Sequence, residues 1–269
     1  MKCRSGFAAW LLAACAATGF AATGLCAAAA ADKPTDVFLL IGQSNMAGRG
    51  LLTDELRLST ERVLKWDEKG GKWVEAVEPI VSDRPFSGAG LAASFARTLA
   101  DARPKRVIGL VPAAEGGTPL QRFMPGGDLY ARAIERTRAA LKAGGELKGI
   151  LWHQGCADSE NLATATNYAA RLSQMVAAFR KDLDAPDVPF VAGELGRYLG
   201  QRYAKHYDVV NAQLHEMAKT CPNMAVVSSR GLTANEDGLH FNTLSLRKFG
   251  ERYAKAYMEM PAVGKKWFK

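Results

Sequence analysis

The sequence predicts a single α/β domain, a parallel sheet with helices packed on both of its faces. Two observations predict it. Five short apolar runs lack the polar alternation of a half-exposed strand, and amphipathic helical stretches alternate with them along the chain. The runs are residues 37–41, 106–111, 149–152, 188–192 and 224–228. The helical stretches are residues 91–100, 129–143, 168–183, 203–219 and 244–258. Continuous hydrophobicity is what a strand covered on both faces shows, and these segments set the expectation of a five-stranded parallel sheet.

Taken in chain order, residues 1–31 come first and stand apart. Lys2 and Arg4 precede an apolar run from Phe7 to Leu12, then small residues up to Ala31 and the polar Asp32-Lys33-Pro34. That is the pattern of a secretory signal peptide, which sets the mature domain at 32–269. Leu12-Ala13-Ala14-Cys15 also resembles a lipobox, which would leave Cys15 lipid-modified and the protein tethered to a membrane. Both readings make the protein exported, to a periplasmic or extracellular location. The first strand, 37–41, opens the domain. Residues 49–87 break the alternation: Val63-Leu64-Lys65-Trp66 and Lys72-Trp73-Val74 flank a turn ending in Gly70-Gly71. They read as a small hairpin inserted after strand one, with Trp66 and Trp73 packing it onto the domain.

The helices that follow are justified by spacing. In 129–143 the charges Arg132, Glu135, Arg136, Arg138 and Lys142 recur at helical intervals, as on a solvated face. In 168–183, Leu172, Met175, Val176 and Phe179 fall on one apolar stripe. His206 and His215 lie in 203–219 with no partner in view, and both read as surface residues.

Composition narrows the function. The chain has 269 residues, 48% of them hydrophobic, enough for a substantial core and unlike a collagenous, disordered or disulfide-scaffold protein. The formal charge of +8 falls to +6 once Lys2 and Arg4 of the leader are removed. These charges are scattered, so no nucleic-acid partner is expected. No run after residue 30 is long and apolar enough to span a bilayer, and a soluble mature chain is expected. Three of five cysteines lie in the leader; Cys156 and Cys221 make no disulfide framework, and sequence does not place them within reach of each other. No Cys/His cluster has metal-site spacing, so no metal is expected.

In an open doubly wound sheet, ligands bind beyond the carboxyl ends of the strands. Strand one runs into Gly42-Gln43-Ser44-Asn45-Met46-Ala47-Gly48-Arg49-Gly50, strand two into a segment ending Gly116-Gly117-Thr118, and strand three into His153-Gln154-Gly155. The last is followed by Asp237-Gly238-Leu239-His240-Phe241. Polar and glycine residues from four segments thus gather at one edge of the sheet. A serine hydroxyl needs a base to become a nucleophile, and His240 is the best candidate, because Asp237 three residues before it can reach the ring Nδ1. An oxyanion could be held by the Ser44 N–H, an N–H at Gly116 or Gly117, and the Gln154 amide. Glycine at 116 and 117 lets a ligand approach the backbone. Gly-x-Ser-x-Gly is absent, since position 46 is Met, which argues against an α/β-hydrolase elbow. His153, beside a buried strand, reads as a hydrogen-bonded structural histidine.

These blocks, in this order, resemble those of the SGNH hydrolase superfamily, and more narrowly its sialate O-acetylesterase and carbohydrate esterase family 6 (acetylxylan esterase) branch. The resemblance covers nearly the whole mature chain. It implies a flavodoxin-like three-layer α/β/α domain and cofactor-free hydrolysis of acetyl esters on an acetylated oligo- or polysaccharide. It implies Ser44 as nucleophile, His240 as base and Asp237 as its orienting acid, with Ser44, Gly116 or Gly117, and Gln154 forming the oxyanion hole. Gln43, Asn45, Arg49, His153, Asp158 and Glu194 are expected to bind substrate or support the loops. One departure stands out: where this branch has Gly-Glu-Ser-Asp, the chain has Gly155-Cys156-Ala157-Asp158. Cys156 is expected to be a small apolar space-filler. Asp158 is expected to hold Arg49 or a nearby backbone amide, and Glu194 to contact substrate or brace Arg197. The same triad would serve an esterase, thioesterase or acyltransferase on non-sugar acyl groups, and a non-catalytic carbohydrate-binding protein could use the same scaffold.

Overall fold

The structure, a computed structural model, describes residues 33–58, 61–200, 202–261 and 263. The expected signal peptide and the lipobox-like Cys15 lie outside the described residues. In chain order come β1 (Asp36–Gly42), α1 (Ser44–Ala47), β2 (Val63–Asp67), β3 (Lys72–Glu75) and α2 (Leu91–Ala102). Next are β4 (Ile108–Pro112), α3 (Asp128–Ala143), β5 (Glu146–His153), α4 (Leu162–Thr166) and α5 (Tyr168–Asp182). The chain closes with β6 (Phe190–Gly193), α6 (Tyr207–Thr220), β7 (Met224–Val227) and α7 (Thr243–Glu259). No helix among the described residues is long and apolar enough to cross a membrane.

One sheet organises these elements, in the order β3-β2-β4-β1-β5-β6-β7. Its central strand, β1, pairs in parallel with β4 on one side and β5 on the other. Every residue of β1 is buried. Its side chains alternate between two cores: Val37, Leu39 and Ile41 join one, Phe38 and Leu40 the other. This is why the run reads as unbroken hydrophobicity in sequence. Each such fully buried side chain contributes roughly 1.5–3 kcal/mol.

Among the described residues the sheet has seven strands rather than five. The inserted hairpin exists, since β2 and β3 pair antiparallel, but it does not lie apart from the sheet. β2 pairs in parallel with β4 through Val63, Leu64 and Lys65, extending the sheet by two strands. The physical reason is edge protection: a five-stranded sheet would leave the outer hydrogen-bonding groups of β4 unpaired. Trp66 and Trp73 are register partners in the hairpin, their rings 5.5 Å apart and edge-to-face, and both are buried in the core.

Helix α7 matters most for the site, because it begins just after Asp237–His240. Gly250 lets it lie close against α2: a Cβ there would stand 2.1 Å from the Leu91 carbonyl oxygen and 2.1 Å from Ser94 Oγ. Its Tyr253 hydroxyl donates to the Trp152 carbonyl at 2.8 Å and Tyr257 to the Lys148 carbonyl at 3.0 Å. The helix is thereby fixed to β5.

Candidate active site

The order of strands reverses at β1, where the chain first fills one side (β2, β3, β4) and then the other (β5, β6, β7). The crevice beyond the carboxyl ends of β1, β4 and β5 is where such a sheet offers a ligand site. Gly42 ends β1 with φ +135°, and any side chain there would meet the His153 backbone at 2.3 Å. Only glycine allows β1 and β5 to approach so closely while the chain turns outward. Ser44 then begins α1, one residue beyond the turn.

Ser44 Oγ lies 2.9 Å from His240 Nε2, although 196 residues separate them. His240 Nδ1 lies 2.6 Å from Asp237 Oδ2. The other Asp237 oxygen accepts the N–H groups of Leu239 (2.8 Å) and His240 (2.9 Å), so one carboxylate both shapes the turn and aims the ring. Burial pulls the Asp237 carboxyl upward, but these hydrogen bonds outweigh it and hold the group below the usual carboxylate range. With Asp237 ionised, the ring proton sits on Nδ1 and the Nε2 lone pair faces serine.

Two asparagines tie this turn to the serine loop. Asn45 Oδ1 accepts the Phe241 N–H at 3.0 Å, and Asn235 Nδ2 donates to the Arg49 carbonyl at 2.9 Å. Tyr198 donates to the Leu239 carbonyl at 3.2 Å, and Phe241 packs edge-to-face on Tyr198, His153 and Phe249. Asn45 thereby joins the serine loop to the turn that carries His240.

The Ser44 and Gly117 N–H groups meet no acceptor among the described residues, and both residues line the cleft. Two other expected donors are committed elsewhere. The Gly116 N–H donates to Asp83 Oδ2 at 2.8 Å. The Gln154 amide is fully buried and gives both N–H groups to protein, to the Thr118 carbonyl (3.0 Å) and to Asp158 Oδ2 (2.7 Å). Its oxygen accepts from Tyr168 at 2.9 Å. A carboxylate four residues away in a dry interior is a stronger acceptor than a transient oxyanion at the surface, and it captures the amide. Gln154 consequently fastens the loop after Gly117 instead of facing the cleft.

Asp158 does not hold Arg49. It accepts from the Leu120 N–H at 2.8 Å and from Arg171 at 2.9 Å. The partner of Arg49 is Asp83, a residue that the sequence patterns left unmarked. The two form a buried bidentate pair at 2.7 and 3.0 Å. Asp83 also accepts from Ser87 Oγ at 2.8 Å. Burial would raise its carboxyl, but Arg49, Gly116 and Ser87 hold it below the ordinary value. A cation entering a buried glycine-rich turn required a carboxylate, and that requirement was the only signal for Asp83.

Gln43 lines the cleft and accepts the Gly155 N–H at 3.1 Å on its Oε1. Cys156 also lines the cleft, as a free, buried thiol that burial pushes up to about 12, so it fills space rather than reacts. Cys221 is likewise free, and the two are not bridged. His153 is fully buried, meets the Glu194 carbonyl at 3.1 Å, and is pushed down to about 4 by burial, so it is a neutral structural residue.

Glu194 points away from the crevice. It pairs with Arg197 (2.8 Å) and also holds His215 (2.8 Å) and the Ser229 N–H (2.9 Å). His215 thus has a partner that sequence spacing did not show. His206 remains a partly exposed residue at the start of α6.

The cleft around Ser44 and His240 has a volume of about 400 Å³ and a largely apolar wall. A cavity of about 430 Å³ lies at the opposite, amino-terminal end of the sheet beside Asp36, but it contains no serine–histidine pair. Among the described residues no group of three or more His, Cys, Asp or Glu could hold a metal ion. What the crevice can do chemically is activate an alcohol beside two free N–H donors.

Comparison with known proteins finds similarity to carbohydrate esterases. A family model described as carbohydrate esterase, sialic acid-specific acetylesterase matches residues 34–259. A protein of Arabidopsis thaliana named probable carbohydrate esterase is 31% identical over 255 residues, covering 84% of this chain and 91% of the relative. The crystal structure of an Arabidopsis thaliana protein with the same designation superposes with a TM-score of 0.76 at 29% identity, covering 84% of this chain and 98% of that one. Two more distant structures share the fold: NanS (TM-score 0.68, 20% identity, 84% and 98% covered) and a carbohydrate acetylesterase from Xanthomonas citri (TM-score 0.63, 17% identity, 84% and 57% covered).

Proposed function

The chain belongs to the carbohydrate esterases of the sialic acid-specific acetylesterase family, and on that premise we propose that it is an exported serine esterase that removes O-acetyl groups from carbohydrates through an acyl-enzyme. Membership makes it a carboxylic ester hydrolase. The observation that carries the finer reading is the contact chain Ser44 Oγ–His240 Nε2 (2.9 Å) and His240 Nδ1–Asp237 Oδ2 (2.6 Å).

Ser44 Oγ attacks the acetyl carbonyl carbon while His240 Nε2 takes its proton, and Asp237 steadies the resulting imidazolium. The negative charge that builds on the carbonyl oxygen is met by the Ser44 and Gly117 N–H groups, which carry no competing bond among the described residues. His240 then returns its proton to the departing sugar oxygen. A water molecule deprotonated by the same imidazole cleaves the acetyl–serine ester and releases acetate.

Ser44→Ala is expected to lower kcat on an aryl acetate by on the order of a thousandfold or more, and a fluorophosphonate should label wild type stoichiometrically but not the variant. Undiminished turnover in Ser44→Ala removes Ser44 from the mechanism. The leader pattern supports export and cleavage near Ala31, leaving residues 32–269 as one mature domain. Intact mass of the protein recovered from cell fractions tests this: a mass beginning at Asp32 supports it, and an acylated chain beginning at Cys15 replaces free secretion with lipid tethering.

A further inference from the structure

Trp66 and Trp73 pack the hairpin onto the domain and are buried, so neither reaches the cleft. The aromatic rings that reach the cleft are Phe86 and Tyr203. Phe86 is 69% exposed. One exposed apolar ring is unremarkable by itself. Its setting is what sets it apart. The turn that carries it is closed on itself: Ser87 N–H donates to the Arg84 carbonyl at 3.0 Å, and the Arg84 N–H to Ser87 Oγ at 3.1 Å. The Arg49 guanidinium lies against the ring, 5.3 Å from its centroid, and Arg49 is itself fixed by the buried Asp83. An exposed phenyl ring is thus held on a rigid post at the edge of the catalytic crevice.

Tyr203 has a matching arrangement on the other wall. Its turn is pinned by the Gly200 N–H on the Tyr203 carbonyl (2.9 Å) and by the Ala204 N–H on Glu160 Oε1 (2.6 Å). The Arg202 guanidinium lies 5.0 Å from the ring centroid. The Phe86 turn follows β3 and precedes α2, on the β4 side of β1, whereas the Tyr203 turn follows β6, on the β5 side. The two rings therefore come from opposite flanks of the strand that delivers Ser44. Each has an arginine against it.

We propose that Phe86 and Tyr203 are the jaws of a sugar clamp, gripping the pyranose ring whose acetyl ester enters between them toward Ser44; this rests on the esterase reading above. A pyranose presents apolar C–H faces and keeps its hydroxyls at the rim. Two aromatic faces can cover those C–H groups while the hydroxyls stay in water. The cleft volume of about 400 Å³ lies within the range of small-ligand sites, so the clamp holds the acetylated residue and leaves any longer glycan outside. The selected substrates are ring-bearing acetates, and a simple alkyl acetate gains nothing from the jaws.

The test compares kcat/KM on a mono-O-acetylated methyl pyranoside with kcat/KM on ethyl acetate, which has no ring. Phe86→Ala and Tyr203→Ala should each lower the pyranoside-to-ethyl-acetate ratio about tenfold, the loss appearing in KM for the pyranoside, and the double variant should lower it further. Phe86→Tyr should restore the ratio, and Phe86→Leu, equally apolar but without an aromatic face, should not. An unchanged ratio in both alanine variants overturns the clamp while leaving the esterase reading standing. So does an equal loss on the two esters. A wild-type enzyme that cleaves ethyl acetate but no pyranoside acetate overturns the clamp and the carbohydrate reading together.

Discussion

Asp237→Asn isolates what the carboxylate does for the imidazole. Asparagine keeps an oxygen where Asp237 Oδ1 accepts from Leu239 and His240, so the turn retains its two backbone bonds. At the other position an NH₂ group replaces the oxygen that faced Nδ1 at 2.6 Å. Nδ1–H and NH₂ would then be two donors facing each other, which costs about 1–3 kcal/mol in the catalytic tautomer. The ring escapes by moving its proton to Nε2, where it can no longer take the Ser44 proton. The lost charge adds about 1 kcal/mol at most, because the Asp237 side chain is 45% exposed and solvent screens it. Together these give about 1–4 kcal/mol, a fall in kcat of roughly 5- to 1000-fold. A fully buried triad acid costs about 10⁴-fold when replaced in this way, so the exposure of Asp237 sets the smaller figure. The assay is kcat on an aryl acetate, with the thermal midpoint measured alongside to show that the turn is intact. A kcat within threefold of wild type, at an unchanged midpoint, would refute the assignment of Asp237 as the orienting acid.

Further outcomes follow from other contacts. In wild type, the log kcat/KM profile should gain no extra unit of slope across the ordinary carboxylate range, since Asp237 is held below it; a slope of two there would mean that this carboxylate takes up a proton of its own. Glu194 is held at about 2, because hydrogen bonds from Arg197, His215 and Ser229 overcome its burial. A depressed carboxylate stabilises the fold fully above its unfolded value and loses that contribution as pH drops from about 5 to about 2. Urea unfolding of wild type should therefore show a loss on the order of 2–3 kcal/mol across that window that Glu194→Gln lacks, and parallel curves would count against it. Gly250→Ala forces α2 and α7 apart by about 1 Å; overpacking of about 1–3 kcal/mol exceeds the gain in helix propensity of about 1 kcal/mol, so the midpoint should fall by several degrees, and an equal or higher midpoint contradicts the packing. Iodoacetamide at pH 8 should modify Cys221 in the native protein and spare Cys156, whose thiol is pushed up to about 12; mass spectrometry showing early modification of Cys156 would overturn its role as a filler.

The parts of the molecule legible in the sequence are those where local pattern and burial agree. β1 read as a strand because both faces of Val37–Ile41 enter a core, and all five expected strands and five expected helices have counterparts within a few residues. Ser44, Asp237 and His240 were legible because each sits in a polar, glycine-bearing segment directly beyond a strand or before a helix. What escaped was decided by three-dimensional competition. Whether β2 stands alone or covers β4 depends on an edge that no local pattern reports. Gln154 could have faced the oxyanion, but Asp158, four residues on, draws it inward. Asp83, Phe86 and Tyr203 are single residues in irregular turns, with no periodicity to mark them.

Ser44 belongs to the first strand–turn of the domain and His240 to the threshold of its last helix. A ribosome synthesising this domain releases the alcohol 196 residues before the imidazole, so a nascent polypeptide carries a serine with no base. On the serine-esterase reading, that serine gains its base only once the segment before α7 has met the loop after β1. By the same token, a protease that trims the carboxyl-terminal helix need not touch the crevice to silence it; loosening the last seam to be stitched is enough.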